Sequence, residues 1–201
     1  MATSAANSYL IVGAGCFGAS TARYLKTTYA DADVVIVDSA PFPNPVAASH
    51  DLNKIIRAEY EDIMYMRLAL EALDAWSADP VLRPYFHKTG VVWGVTPTRA
   101  RELVHGYEDI LGQGGSPVEL LGVDEARARF PILGQCELQG ASNCLWNPHA
   151  GWGDAASALQ AVIQDAVDHG VRHEVATVAK ANLDEENLNA SRREVLAAEI
   201  L

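Results

Sequence analysis

The stretch "SYLIVGAGCFGASTARYLKTTYADADVVIVD", Ser8 to Asp38, decides how the rest of the chain is read. "SYLIV" is a short apolar run stopped by a glycine, the pattern of a buried parallel strand. The glycine-rich loop "GAGCFG" follows, and then a segment of small residues and helix formers, Phe17 to about Thr28, in which Ala19, Ala22 and Leu25 can face a sheet. A second apolar run, Val34 to Val37, ends in Asp38. Strand, glycine turn, helix and strand make a βαβ unit.

Within the loop, Gly13, Ala14, Gly15, Cys16, Phe17 and Gly18 form a GxGxxG, and Asp38 lies 20 positions after its last glycine. Each element has a physical task. Gly13 permits the tight turn, Gly15 lets a pyrophosphate approach the backbone, Gly18 lets helix and strand pack closely, and Asp38 accepts from a ribose hydroxyl, with Ser39 beside it. The pyrophosphate would rest on the helix N-terminus, where free N–H groups and the dipole favour anions. A carboxylate at position 38 opposes a 2′-phosphate, so NADP is the least expected dinucleotide. The loop itself leaves FAD and NAD both open. Cys16 reads as a small filler.

Composition narrows the class. A chain of 201 residues with 49% hydrophobic content can bury one full domain, or one domain and part of a second. With 26 acidic against 15 basic residues and no Lys/Arg run, it would repel a nucleic acid backbone. Three cysteines, Cys16, Cys136 and Cys144, show no CxxC and suggest neither a disulfide framework nor a zinc site. The N-terminus lacks a basic n-region, no apolar run approaches the ~20 residues of a membrane span, and the last three residues are not a peroxisomal address. A monomeric, intracellular, cytoplasmic protein that contacts neither nucleic acid nor membrane is expected.

Beyond Asp38, Pro41, Pro43 and Pro45 give an exposed loop. The period of Ile56, Tyr60, Ile63, Met64 and Leu68 predicts one long helix from about Asp51 to Ala78, with His50, Lys54, Arg57 and Glu61 on a single stripe. Tyr60 is expected in the core. The stripe reads either as part of a site or as solvated charges paired with Asp51 and Glu61. Residues 85–95 predict two strands around a turn at Gly90, and Pro97 to Leu111 a helix with Thr98 as cap. Pro117 to Leu121 predicts a strand, "GVDEARARFPIL" a short helix, and Cys136 to His149 irregular strands. An amphipathic helix then runs along Ala155, Leu159, Val162, Ile163, Ala166 and Val167, supported at its start by Asp154 and closed by Gly170, before a strand from Val171 to Val178. The tail after Asp184 is polar and weakly helical.

The loop containing Ser49 and the following "HDLNKIIRAEY", then "FHKTGVVWG", "ELLGVDEARARFP" and "NPHAGWGDAASALQAVIQDAVDHGVRHEVATVAK", resemble in order four landmarks of the D-amino-acid-oxidase-like flavoproteins. The resemblance is greatest to their sarcosine oxidase and fructosyl amino acid oxidase (amadoriase) branch. It implies an α/β fold: a Rossmann-like FAD-binding domain at residues 1–78 and 150–183, interleaved with an incomplete α+β substrate domain at 79–149, and an atypical tail at 184–201. It implies FAD as cofactor and oxidation of a secondary amine, sarcosine or a fructosyl amino acid among them. Hydride passes to flavin, the imine is hydrolysed, and dioxygen is reduced to hydrogen peroxide. By the same resemblance, Lys54 and His50 face the flavin, Arg57 holds a substrate carboxylate or supports the flavin site, and Ser49 and Val178 contact FAD. Members of this branch continue well past this chain, and their second half completes the substrate domain and carries the cysteine that bonds flavin. A truncated chain that binds FAD or its ADP part without turnover is therefore the competing expectation; an NAD-dependent dehydrogenase is weaker.

Overall fold

A computed structural model of the chain describes residues 7–138 and 140–178. The chain forms two compact units, one made of residues up to Asn53 together with those from Asp154 onward, the other Lys54–Gly153. The second is thus inserted into the first. The tail at 184–201 lies outside the described residues.

The first unit contains β1 (Ser8–Val12), α1 (Cys16–Thr28), β2 (Asp33–Asp38), α5 (Ala155–Asp168) and β9 (Arg172–Val175). Its sheet is parallel in the order β1-β2-β9, in register from Ser8↔Asp33 to Val12↔Val37 and from Val35↔Arg172 to Asp38↔Val175. Parallel pairing requires crossovers over the sheet face, which α1 supplies between β1 and β2. Ala19 and Ala22 are buried, and so are Val34, Ile36 and Val37 on β2 and Ala158, Leu159, Val162, Ile163 and Ala166 on α5. Helices α1 and α5 pack together and are tied by Arg23 Nε to Asp165 Oδ2 at 2.7 Å. Asp154 caps α5, accepting from the Ser157 N–H at 3.2 Å, and Gly170 ends it at a φ of 96°.

The second unit contains β3 (Lys54–Ile56), α2 (Ile63–Ala78), β4 (Phe86–His87), β5 (Val91–Val95), α3 (Pro97–Leu111), β6 (Glu119–Gly122), α4 (Val123–Arg129), β7 (Asn143–Asn147) and β8 (Gly151–Gly153). Two antiparallel sheets result, β3-β8-β4 and β5-β7-β6. Its main core joins Ala58, Met66, Leu73, Val95, Ala100, Leu103, Tyr107 and Leu145.

Several expectations are corrected here. The helix expected from Asp51 begins only at Ile63, where Asp62 accepts from the Met64 N–H at 2.8 Å. Lys54, Ile55 and Ile56 are a strand, because they pair with Gly153, Trp152 and Gly151, and β-branched residues suit a paired edge. The stripe of His50, Lys54, Arg57 and Glu61 therefore does not exist. The later start also rephases the helix: Met66 and Leu73 are buried, while Met64 and Leu68 are exposed. Thr96, not Thr98, caps α3. The strands flanking Gly90 do not pair with each other; β4 joins β8 and β5 joins β7. The last strand ends at Val175, short of Val178. Compact-unit borders fall at 53 and 153 because β3 belongs to the sheet of β8.

Leu145, wholly buried at the centre of β7, should report this core: Leu145→Ala is expected to cost about 2–5 kcal/mol, read as a lowered urea midpoint, and an unchanged midpoint would show the core to lie elsewhere.

Candidate dinucleotide and carboxylate sites

In the first unit, the chain leaves β1 through Gly13, whose φ of 98° only glycine adopts without strain. The Gly13 N–H donates to Val37 O at 2.7 Å and the Ala14 N–H to Asp38 Oδ2 at 2.7 Å, which lays the loop across the end of β2. A Cβ at Gly18 would stand 1.9 Å from Gly13 O and 3.2 Å from the Ile11 side chain, so Gly18 is what lets α1 start against the strand. Gly15 differs from both. Its backbone is extended at φ −75°, and the nearest atom to an added Cβ is Ser49 Oγ at 3.8 Å. Neither conformation nor packing within the described residues demands glycine there.

That open space, together with the start of α1, fits a pyrophosphate. The N-cap Gly15 offers no side chain to the first-turn N–H groups, and no acidic residue occupies that turn. Orphan donors and the positive end of the helix dipole remain for an anion. Cys16 and Phe17 are exposed beside it, Phe17 at 88%.

Asp38 is held as an anion. Burial works against its charge, but the N–H of Ala14, the Asn44 amide at 2.7 Å, the N–H of Ala40 and the Ser39 hydroxyl outweigh it and hold its carboxyl below the usual carboxylate range. Asn44, 8% exposed, is a partner of Asp38 that sequence reading missed. Its position between Pro43 and Pro45 is the only signal that could have marked it. The His173 ring on β9 meets Phe42 edge-on at 4.8 Å, and burial lowers its pKa against the opposing pull of Asp38 and Glu174. Ser49 is half-buried near Gly15, His50 is exposed in the following turn, and Val178 is half-buried after β9.

The second unit holds the other predicted residues. Lys54 is exposed on β3 opposite Gly153. Arg57 is half-buried, with its guanidinium 4.7 Å from the ring centroids of both Tyr60 and Trp93, and Nη1 donates to Glu59 O. No carboxylate pairs with Arg57 among the described residues, and Glu61 instead meets Arg99. Tyr60 is 40% exposed rather than core. Trp93 carried no sequence signal for this contact, since it depends on β5 pairing with β7. Cys144 is fully buried, and burial raises its thiol pKa against the influence of Arg127.

A parallel βαβ unit with an anion-ready helix start and an anchored acid defines a dinucleotide-binding α/β protein. The DAO family, described as FAD dependent oxidoreductase, matches residues 8–198, and the chain belongs to it. L-saccharopine oxidase of Schizosaccharomyces pombe is 33% identical over 168 residues, covering 81% of this chain and 39% of that protein. An amino acid oxidase of Aspergillus flavus is 38% identical over 86 residues, 37% of this chain and 18% of its own. Among solved structures, fructosyl peptide oxidase from E. terrenum superposes with a TM-score of 0.73 at 24% identity over 93% of this chain and 45% of that one. Amadoriase I from Aspergillus fumigatus gives 0.67 at 26% identity, covering 92% and 44%. The chain thus spans about two fifths of the curated L-saccharopine oxidase it matches. FAD is the family's cofactor, and the fold expected from the sequence is the one found. No helix among the described residues is long and apolar enough to cross a membrane.

The three glycines make separable predictions. Gly15→Val should leave the thermal melt near that of the parent yet abolish retention of FAD on gel filtration, whereas Gly18→Ala should lower the melt itself; equal retention in Gly15→Val would overturn the anion assignment. A pH effect follows from Asp38. Its folded pKa is depressed, so its stabilisation is complete above the unfolded value near 3.8 and is lost as pH falls through the folded one. Asp38→Asn should flatten the acid limb of a stability-against-pH curve below about pH 4, and an unaltered limb would remove Asp38 as its source.

Proposed function

We propose that the chain provides the FAD-binding unit and one wall of the substrate site of an oxidase acting on N-substituted amino acids. The observation that carries this reading is Arg57, a guanidinium 4.7 Å from the centroids of two aromatic rings with no carboxylate partner among the described residues. A planar cation held in that way suits bidentate pairing with a substrate carboxylate. The names of the relatives support it, since L-saccharopine oxidase and fructosyl peptide oxidase both denote oxidation of an N-substituted amino acid or peptide.

In this reading the unit containing β1, β2 and β9 binds FAD, and the inserted unit is the first part of a substrate domain. Gly13 to Gly18 and the start of α1 receive the pyrophosphate, Asp38 and Ser39 the ribose, and Ser49 and Val178 add further contacts. His50 and Lys54 are assigned to the flavin face, where the Lys54 charge would stabilise negative charge on a bound ring. FAD, when bound, supplies the hydride acceptor. The amine loses two electrons and becomes an imine, water hydrolyses the imine, and dioxygen takes the electrons and protons to leave as hydrogen peroxide. Arg57 fixes the substrate through its carboxylate, a contribution that orients the carbon next to nitrogen.

A second reading, FAD binding without turnover, is favoured by one observation: the chain spans 39% of L-saccharopine oxidase. Both readings are tested by purifying the chain, recording flavin absorbance after gel filtration, and measuring peroxide released from sarcosine, fructosyl-valine and saccharopine. Peroxide with bound flavin is expected of the oxidase, and bound flavin without peroxide leaves the second reading. In an active preparation, Arg57→Ala should raise KM at least about tenfold, or about 1.4 kcal/mol, for carboxylate substrates; an unchanged KM would exclude the carboxylate clamp.

A further inference from the structure

Glu59 is 1% exposed and lies beside Tyr107 and Asn147, both wholly buried. The Tyr107 hydroxyl donates to Glu59 Oε1 at 2.7 Å, the Asn147 amide donates to the same oxygen and lies 3.3 Å from the Tyr107 oxygen, and the His149 N–H donates to Asn147 Oδ1 at 2.8 Å. Glu59 Oε2 has no hydrogen-bond partner among the described residues. A buried carboxylate costs stability, and an apolar side chain of similar volume often serves a core as well or better. Packing alone does not account for a carboxylate at this position.

A further role is visible in the backbone of the same residue. Glu59 O accepts from Arg57 Nη1, a hydrogen bond that helps to fix the guanidinium against Tyr60 and Trp93. Donors from α3 and β7 pin the Glu59 side chain, the pinned side chain fixes the orientation of its peptide, and the peptide carbonyl aims the arginine. We infer that Glu59, held by Tyr107 and Asn147, is a positioning residue for Arg57, setting the direction in which its guanidinium is presented to a substrate carboxylate. This rests on the carboxylate reading of Arg57 given above. Burial, and then the Glu59 charge, push the Tyr107 pKa upward, against a smaller opposing influence of Arg57, so its hydroxyl remains a donor throughout the working range.

The test uses the full chain and two variants, Glu59→Gln and Tyr107→Phe, the second removing a single oxygen. The Trp93 indole N–H signal in a nitrogen–proton correlation spectrum, assigned with Trp93→Phe, reports the guanidinium over its ring. Binding of N-acetylglycine and of its methyl ester is measured alongside. Both variants should move the Trp93 signal toward its position in Arg57→Ala and weaken N-acetylglycine about tenfold while leaving the ester unchanged. A folded variant with the Trp93 signal at its parent position overturns the inference, whatever happens to affinity. If the signal moves but Arg57→Ala binds N-acetylglycine as well as the parent does, positioning stands and the carboxylate reading of Arg57 is what fails.

Discussion

Everything in the first unit depends on the approach of α1 to the end of β1. Gly18 brings the helix so near to Gly13 that a single methyl group would overlap the Gly13 carbonyl. With the helix seated there, its first-turn N–H groups face the space in front of Gly15, and the loop amide of Ala14 reaches the Asp38 carboxylate across the strand end. One steric constraint thus sets the start of α1 and the place of the Asp38 carboxylate together. It also explains why the motif must be read as a unit, since each glycine answers to a different pressure: backbone conformation, ligand space or helix packing.

The second unit is governed by charge rather than by glycine. It buries a carboxylate and seats an arginine among aromatic rings, two arrangements that cost desolvation and persist only where hydrogen bonds and packing over-determine them. The Arg57 charge is shielded from water on the faces that Tyr60 and Trp93 cover and is not neutralised by an acid of its own unit among the described residues. A guanidinium in that state gains more from an incoming carboxylate than one already paired at the surface, because in a partly desolvated setting the attraction is screened less.

Local chemistry made the first unit legible. The strand, loop, helix and acid from Ser8 to Asp38 are contiguous, and each is specified by residues whose backbone preferences point the same way; the same is true of Asp154 and Gly170 at the two ends of α5. The segment after Asp51 was misread for the opposite reason. Its apolar spacing satisfies a helix period, but Ile55 and Ile56 find partners on β8, almost a hundred residues away in sequence, and the strand ladder outweighs the local signal. Arg57 was nominated on mistaken geometry: the stripe that nominated it is not present.

What could not be read at all shares one physical character. Asn44 beneath Asp38, Trp93 over Arg57, and Tyr107 and Asn147 around Glu59 act through contacts that exist only once separate elements are assembled. An aromatic or amide side chain in a half-buried strand has the same local pattern whether it fills a core or orders a charge. The sequence therefore names the residues that would touch a ligand more readily than those that hold them in place, and for Arg57 the holding residues decide whether its charge is a solvated ornament or an instrument of recognition. Glu59 is the case in which the distinction is sharpest: no pattern in the sequence singles it out, whereas in the fold its side chain turns into the core and its carbonyl meets the guanidinium.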